Sequence, residues 1–176
     1  MTYCVIYQSN TGFTKQYAEW IAESLCCTAE PLQDFGKVNI QQVDTLIYGG
    51  WICADCVSGL STLQKFGRTP DIVFAVGAAP QHSVDLRALS KKNNLGRIPF
   101  FYYQGGIRYE KLGFTQKGML KMYALSLKKK TDKTKAEIQI EKALARSYDA
   151  ATKDAIVPLV EKCMALEMPK MVNGGE

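Results

Sequence analysis

The chain has one histidine, His82, in 176 residues, and that scarcity excludes more than its six cysteines permit. A structural zinc centre takes four ligands from cysteine and histidine, so here it would have to gather four thiolates from distant segments. Long apolar runs are missing too, and nothing approaches the roughly 18 to 20 residues of a membrane-spanning helix. At the start, Tyr3–Tyr7 passes at once into Gln8-Ser9-Asn10 with no basic stretch before it, which is not the pattern of a secretory leader and leads us to expect a cytoplasmic protein. In that setting Cys4, Cys26, Cys27, Cys53, Cys56 and Cys163 are expected as thiols rather than as a disulfide framework. Two nucleotide signatures are also absent. No G-x-x-x-x-G-K-[ST] provides a lysine for a nucleoside triphosphate, and no G-x-G-x-x-G provides a dinucleotide turn.

What remains is the composition of one globular unit, residues 1–176, with 47% hydrophobic and 22% charged residues, long enough to bury a proper core. The organising stretch is Tyr3 to Leu25. An apolar strand, Tyr3–Tyr7, enters a loop of hydroxyl, amide and glycine groups, and an amphipathic helix begins near Gly12 with Phe13, Tyr17, Ile21 and Leu25 on one face. Ser9, Asn10, Thr11 and Thr14 offer side-chain donors beside the free N–H groups of the first helical turn. The positive end of the helix dipole favours an anion there. An N-capped helix without a ligand would show the same six residues.

Further apolar strands are expected at Asp44–Tyr48, Asp71–Val76 and Ile98–Tyr103, with a short one near Glu30–Asp34. Between them lie a helical turn or two over Phe35–Gln42, a short helix at Ser61–Phe66 and a polar helix at Val84–Asn94. A last helix spans about Asp149–Leu166, where Pro158 marks a kink or a start just before it. Five apolar strands alternating with helices predict a doubly wound parallel α/β sheet covered on both faces. Ligands of such sheets sit outside the carboxyl ends of the strands, at the point where strand order reverses. The loops leaving strong strands are 8–14, 49–59 and 77–83, and each carries glycine with small or polar residues.

Positive charge is concentrated in one place. Arg108–Lys135 holds nine basic and two acidic residues, a balance of +7 against +5 for the whole chain, so the remainder carries −2. Leu112, Phe114, Met119, Leu120, Met122, Tyr123, Leu125 and Leu127 are interleaved with these lysines. Such a segment either lays its apolar side over a sheet edge or lies on an anionic membrane surface or acidic partner. Tyr109 and Tyr123 accompany it, but no nucleic-acid-binding motif or second basic face does, and nucleic acid is not expected as a partner. Residues from about 170 to the end are expected to form a disordered tail.

Ser9-Asn10-Thr11-Gly12-Phe13-Thr14 resembles the [ST]-x-T-G-x-T phosphate loop of flavodoxins, and the resemblance extends over nearly the whole chain. It implies a five-stranded sheet of order 2-1-3-4-5 and FMN as cofactor. Ser9, Asn10, Thr11, Gly12, Phe13 and Thr14 would hold the phosphate, Gly50, Trp51 and Ile52 would flank one side of the flavin ring, and Gly77, Ala78 and Ala79 the other. Trp51 either stacks on the ring or packs in the core. Phe101–Lys130 further resembles the stretch after the last strand in flavodoxin-type, oxygen-independent protoporphyrinogen oxidases, which implies a quinone acceptor at the membrane. The chain departs from both groups in carrying Cys53-Ala54-Asp55-Cys56 in the first ring loop. That C-x-x-C either forms a disulfide or thiol relay near the flavin or fills the loop with two small residues. Cys4 reads as core, and His82 as a surface residue or one approaching the flavin edge. No catalytic acid or base is evident. The readings in play are an FMN redox protein passing electrons between partners, a protoporphyrinogen-type dehydrogenase reducing a quinone, and a flavin-free binding module.

Overall fold

The computed structural model describes residues 1–37, 42–133, 138, 141 and 147–167. The expected tail from about 170 lies outside the described residues, as do parts of the turn expected over 35–42 and the end of the basic segment. In chain order the elements are β1 (Tyr3–Gln8), α1 (Phe13–Ser24), β2 (Thr28–Pro31), β3 (Thr45–Cys53), β4 (Cys56–Val57), α2 (Leu60–Lys65), β5 (Ile72–Gly77), α3 (Leu86–Lys92), β6 (Phe100–Gln104), β7 (Gly106–Ile107), α4 (Phe114–Lys129), β8 (Tyr148–Asp149) and α5 (Val157–Glu167).

The apolar strands pair as their composition requires. β2-β1-β3-β5-β6 form one parallel sheet, the order 2-1-3-4-5 among the parallel strands, which reverses between β1 and β3. Strands apolar on both sides need cover on both sides. Val5, Ile47 and Phe74 face Tyr17, Ala18 and Ile21 of α1 and Leu159 and Cys163 of α5. Cys4, Ile6, Leu46, Tyr48 and Val73 face Leu60 and Leu63 of α2 and Leu89 of α3. Cys4 is therefore core, and burial raises its thiol pKa.

Most element boundaries shift by one or two residues from the sequence expectation, and four elements differ in ways that matter for the fold or the site. β2 starts at Thr28 and ends at Pro31, two or three residues early, and Leu32–Lys37 continues as a 3₁₀ turn. β3 does not stop at Tyr48 but runs through Gly49-Gly50-Trp51-Ile52 to Cys53. Glycines usually punctuate strands, yet these two sit where something comes close. A Cβ on Gly49 would lie 2.0 Å from the Phe74 ring, and one on Gly50 2.5 Å from the Ser58 carbonyl. α5 starts at Val157, which puts Pro158 in the first turn where its missing N–H is not needed. The basic helix α4 does not cover a sheet edge. It packs through Leu120, Ala124 and Leu127 on Ile107, Tyr148 and Ala78, at the carboxyl ends of the strands.

One core group is out of balance. Tyr103 is 2% exposed and stacks on Tyr17 with ring centroids 4.7 Å apart, but its hydroxyl has no hydrogen-bond partner among the described residues. Burial pushes its phenol pKa far above the ordinary range. Removing an unpaired buried hydroxyl recovers its desolvation cost. Tyr103→Phe is expected to raise the unfolding free energy by about 1 kcal/mol, read from the urea midpoint at constant m.

Candidate functional site

β1 and β3 are the paired neighbours at the strand-order reversal, and the loops leaving β1 and β5 together with the β3–β4 hairpin border a cavity of about 520 Å³. That size suits a drug-sized or mononucleotide ligand. At one end is the turn before α1. Gly12 has φ 98°, a left-handed conformation that glycine adopts without strain, and it begins the helix with no side-chain cap. The first-turn N–H groups are thus left for an anion. Next to them the Ser9 hydroxyl is buried and has no partner among the described residues, and Thr14 is 1% exposed.

A cation that sequence reading did not single out completes this end. Arg108 follows β7 and reaches back across the fold. Its guanidinium lies 3.9 Å over the Phe13 ring, donates to the Thr11 carbonyl at 3.3 Å and to Gln16 Oε1 at 3.0 Å, and pairs with Asp149 Oδ2 at 2.8 Å. Its Nη1 would be 3.0 Å from a Cβ on Gly12, and Lys111 Nζ 3.9 Å from the same point. Both cations therefore stand at the helix N-terminus that would receive the anion. In the sequence Arg108 was one of nine basic residues, and nothing in local spacing marks it. The fold selects it by turning β7 beside α1.

The rest of the lining is mainly apolar. Trp51, Ile52, Val76, Gly77 and Ala78 form the strand-end walls, and Leu112, Met119, Leu120 and Tyr123 close the side opposite the sheet. Of the residues expected from sequence, Asn10, Thr11, Phe13, Thr14, Trp51, Ile52, Gly77 and Ala78 border this cavity. Ser9 and Gly12 lie in the turn beside it. Gly50 sits inside β3 under the Ser58 carbonyl, and Ala79 turns away, its carbonyl accepting the Tyr102 hydroxyl at 2.8 Å. His82 is exposed in the 3₁₀ turn Gln81–Ser83. Among the described residues no cluster of three or more His, Cys, Asp or Glu could hold a metal ion.

The residues present fit a phosphate ester carrying a flat apolar ring. The uncapped helix start, two cations and an orphaned hydroxyl meet the dianion, and an apolar slot with an indole and a phenol meets the ring. The orphaned hydroxyl gives a sign test. Ser9→Ala is expected to stabilise the ligand-free protein, by about 1 kcal/mol, because an unpaired buried group is removed. The same change should weaken binding of a phosphate ligand by about tenfold, because that group is then missing from the ligand's shell. Thermal shifts with and without ligand measure both. Equal signs would mean that Ser9 does not face the anion.

Sequence comparison with curated proteins found no match. Among solved structures, the chain is similar to the Trp repressor binding protein from Bacillus subtilis at 20% identity and TM-score 0.45, covering 62% of this chain and 88% of that one. It is also similar to the rubredoxin oxygen:oxidoreductase of Desulfovibrio gigas at 12% identity and TM-score 0.39, covering 93% and 37%. A flavodoxin from the domain Archaea matches at 14% identity and TM-score 0.38, covering 83% and 100%. The flavodoxin domain family matches residues 4–135, most of the chain, and includes both the phosphate-type turn and the strands that carry the cavity. With its 2-1-3-4-5 parallel sheet and the cavity at the strand-order reversal, the chain belongs to the flavodoxin domain family.

Proposed function

We propose that this chain binds FMN and passes electrons through it between redox partners. The observation that carries the reading is the convergence of an uncapped α1, the orphaned Ser9 hydroxyl and the Arg108 guanidinium beside a cavity whose remaining lining is mainly apolar. FMN supplies one- and two-electron redox chemistry when bound. Ser9, Thr11, Thr14 and the α1 N–H groups hold its phosphate, and Trp51, Ile52, Gly77 and Ala78 border the ring. α4 excludes water from the side facing away from the sheet.

Titration of the purified ligand-free protein with FMN tests this. Quenched flavin fluorescence with shifted visible bands is expected, with riboflavin binding more weakly for want of the phosphate. If neither flavin binds, the chain is a flavin-free member of its family acting as a binding module.

A second reading concerns the acceptor, and α4 favours it. No helix among the described residues is long and apolar enough to cross a membrane. Yet Phe114 is 94% and Met122 73% exposed, with Leu125 also exposed, on a helix that carries Lys117, Lys121, Lys128 and Lys129. A basic helix with outward apolar side chains suits an anionic lipid surface. A quinone within that surface would then be the acceptor, as in a protoporphyrinogen-type dehydrogenase. Replacing the outward Phe114, Met122 and Leu125 with serine should abolish sedimentation with anionic vesicles while FMN stays bound, because none of the three borders the cavity. Undiminished sedimentation would remove α4 from the membrane account.

A further inference from the structure

The β3–β4 hairpin, one border of the cavity, holds two cysteines directly opposite each other, and the function proposed above gives these thiols no role. Cys53 and Cys56 are directly paired across the antiparallel register and are joined by only Ala54 and Asp55. Residues directly opposite on such a ribbon project from the same face; in a hydrogen-bonded pair the Cβ atoms are about 5.5 Å apart, so an inward shift of about 1 Å brings them to the roughly 3.5–4.5 Å that a disulfide spans. The turn has positive φ at both central positions, 48° at Ala54 and 63° at Asp55, as in a type I′ turn. Neither residue is glycine, so the conformation is strained and needs support from outside the ribbon.

That support comes from the end of α3. Asn93 Oδ1 accepts from the Val57 N–H at 2.7 Å, and Asn93 Nδ2 donates to the Asp55 carbonyl at 2.8 Å and to the Leu89 carbonyl at 2.8 Å. Lys92 Nζ pairs with Asp55 Oδ2 at 3.1 Å. One side chain thus ties the turn and the β4 arm to a packed helix, which supports the hairpin that sets the two thiols opposite each other.

The other cysteines are placed differently. Cys4 and Cys163 are buried, and burial pushes the Cys27 thiol up to about 12. Cys26 is exposed but has no cysteine opposite it in any strand register. Cys56 is exposed, and Cys53 is half-buried and borders the cavity. An accessible thiol backed by a second one at fixed register is the arrangement that thiol–disulfide exchange uses.

We infer that Cys53 and Cys56 form a reversible thiol–disulfide exchange site whose substrates are low-molecular-weight disulfides and thiols. The Cys56 thiolate attacks one sulfur of a disulfide RSSR. A protein–S–SR bond forms, the RS–SR bond breaks and RS⁻ leaves. The Cys53 thiolate then attacks the Cys56 sulfur, forming the Cys53–Cys56 bond and expelling the second RS⁻. The two protons lost by the cysteines pass to the two RS⁻. The protein gives up two electrons, and RSSR is reduced to two RSH. An excess of RSH reverses every step. The exchange itself needs no flavin, although Cys53 borders the cavity and a bound ligand would lie beside it.

The test uses the full chain and oxidised glutathione as probe, followed by acid quenching, denaturation, alkylation and peptide mass analysis. Wild type should yield a tryptic peptide 38–65 that carries no alkyl group and is lighter by two hydrogen atoms. Reduced glutathione should restore both alkylation sites. Cys53→Ser should accumulate glutathione on Cys56, and Cys56→Ser should leave Cys53 at least about tenfold less modified over the same time. Full alkylation of both cysteines in wild type would overturn the inference. So would glutathione that remains on Cys56 while Cys53 stays a free thiol.

Discussion

Replacing Arg108 with alanine is expected to weaken FMN binding by about 10- to 100-fold while changing riboflavin binding by no more than about twofold, because a charge-assisted hydrogen bond contributes about 1.5–3 kcal/mol and each 1.4 kcal/mol is a factor of ten. The guanidinium is held firmly before any ligand arrives. Gln16, Asp149 and the Thr11 carbonyl fix its donors, and the Phe13 ring supports its plane. A cation held that way loses little side-chain freedom on meeting a phosphate. The same contacts give Arg108 a structural role, because it links the α1 turn to β8. Riboflavin separates the two roles. A structural loss alone would weaken both ligands alike, whereas loss of a phosphate contact weakens only FMN. Arg108→Lys keeps the charge without the fork and should recover part of the difference. Isothermal titration with both flavins measures it.

Gly49→Ala is expected to destabilise the protein by about 3 kcal/mol or more, at the upper end of what overpacking costs. Gly49 lies opposite Phe74 in the β3–β5 register, and the added methyl would come within 2.0 Å of Cζ and 2.5 Å of Cε1 and Cε2. The ring cannot retreat, because it is fully buried and tilts against Tyr103 at 5.7 Å. Shortening it should restore room. Gly49→Ala combined with Phe74→Leu is therefore expected to be more stable than the sum of the single effects allows, a coupling that denaturant unfolding of all four proteins would resolve. Additive losses would mean that the methyl is accommodated by some other movement.

These two residues also show where sequence reading works and where it stops. The parallel sheet could be read because DTLIY, DIVFAV and IPFFYY are apolar throughout, and a strand buried on both faces needs that pattern. The turn at Ser9–Thr14 could be read because hydroxyls, an amide and a glycine before a helix are local chemistry. Gly49 and Gly50 were expected in a loop because glycine ends strands more often than it continues them. The reason they continue β3, an approaching ring and an approaching carbonyl, lies on residues 25 and 8 positions away in the chain. Arg108 was hidden for the same kind of reason. A run of nine basic residues gives no local mark to the one whose partners are Thr11, Gln16 and Asp149. α4 was legible as an amphipathic basic helix. Its place over the strand ends depends on Ile107 and Tyr148, whose contact no periodicity encodes.

The two-residue ribbon of β7 and β8 gives that last point a wider meaning. It pins Gly106 to Asp149 and Ile107 to Tyr148, so the chain leaves the sheet at one place and returns beside it. The pairing clasps the two ends of the connection between them, and the entropy of closing a connection grows only slowly with its length. Length added between the clasped ends therefore costs the sheet little. The wall that α4 gives the cavity, and the charged surface it turns outward, can be altered by substitution without repacking the strands that form the pocket floor.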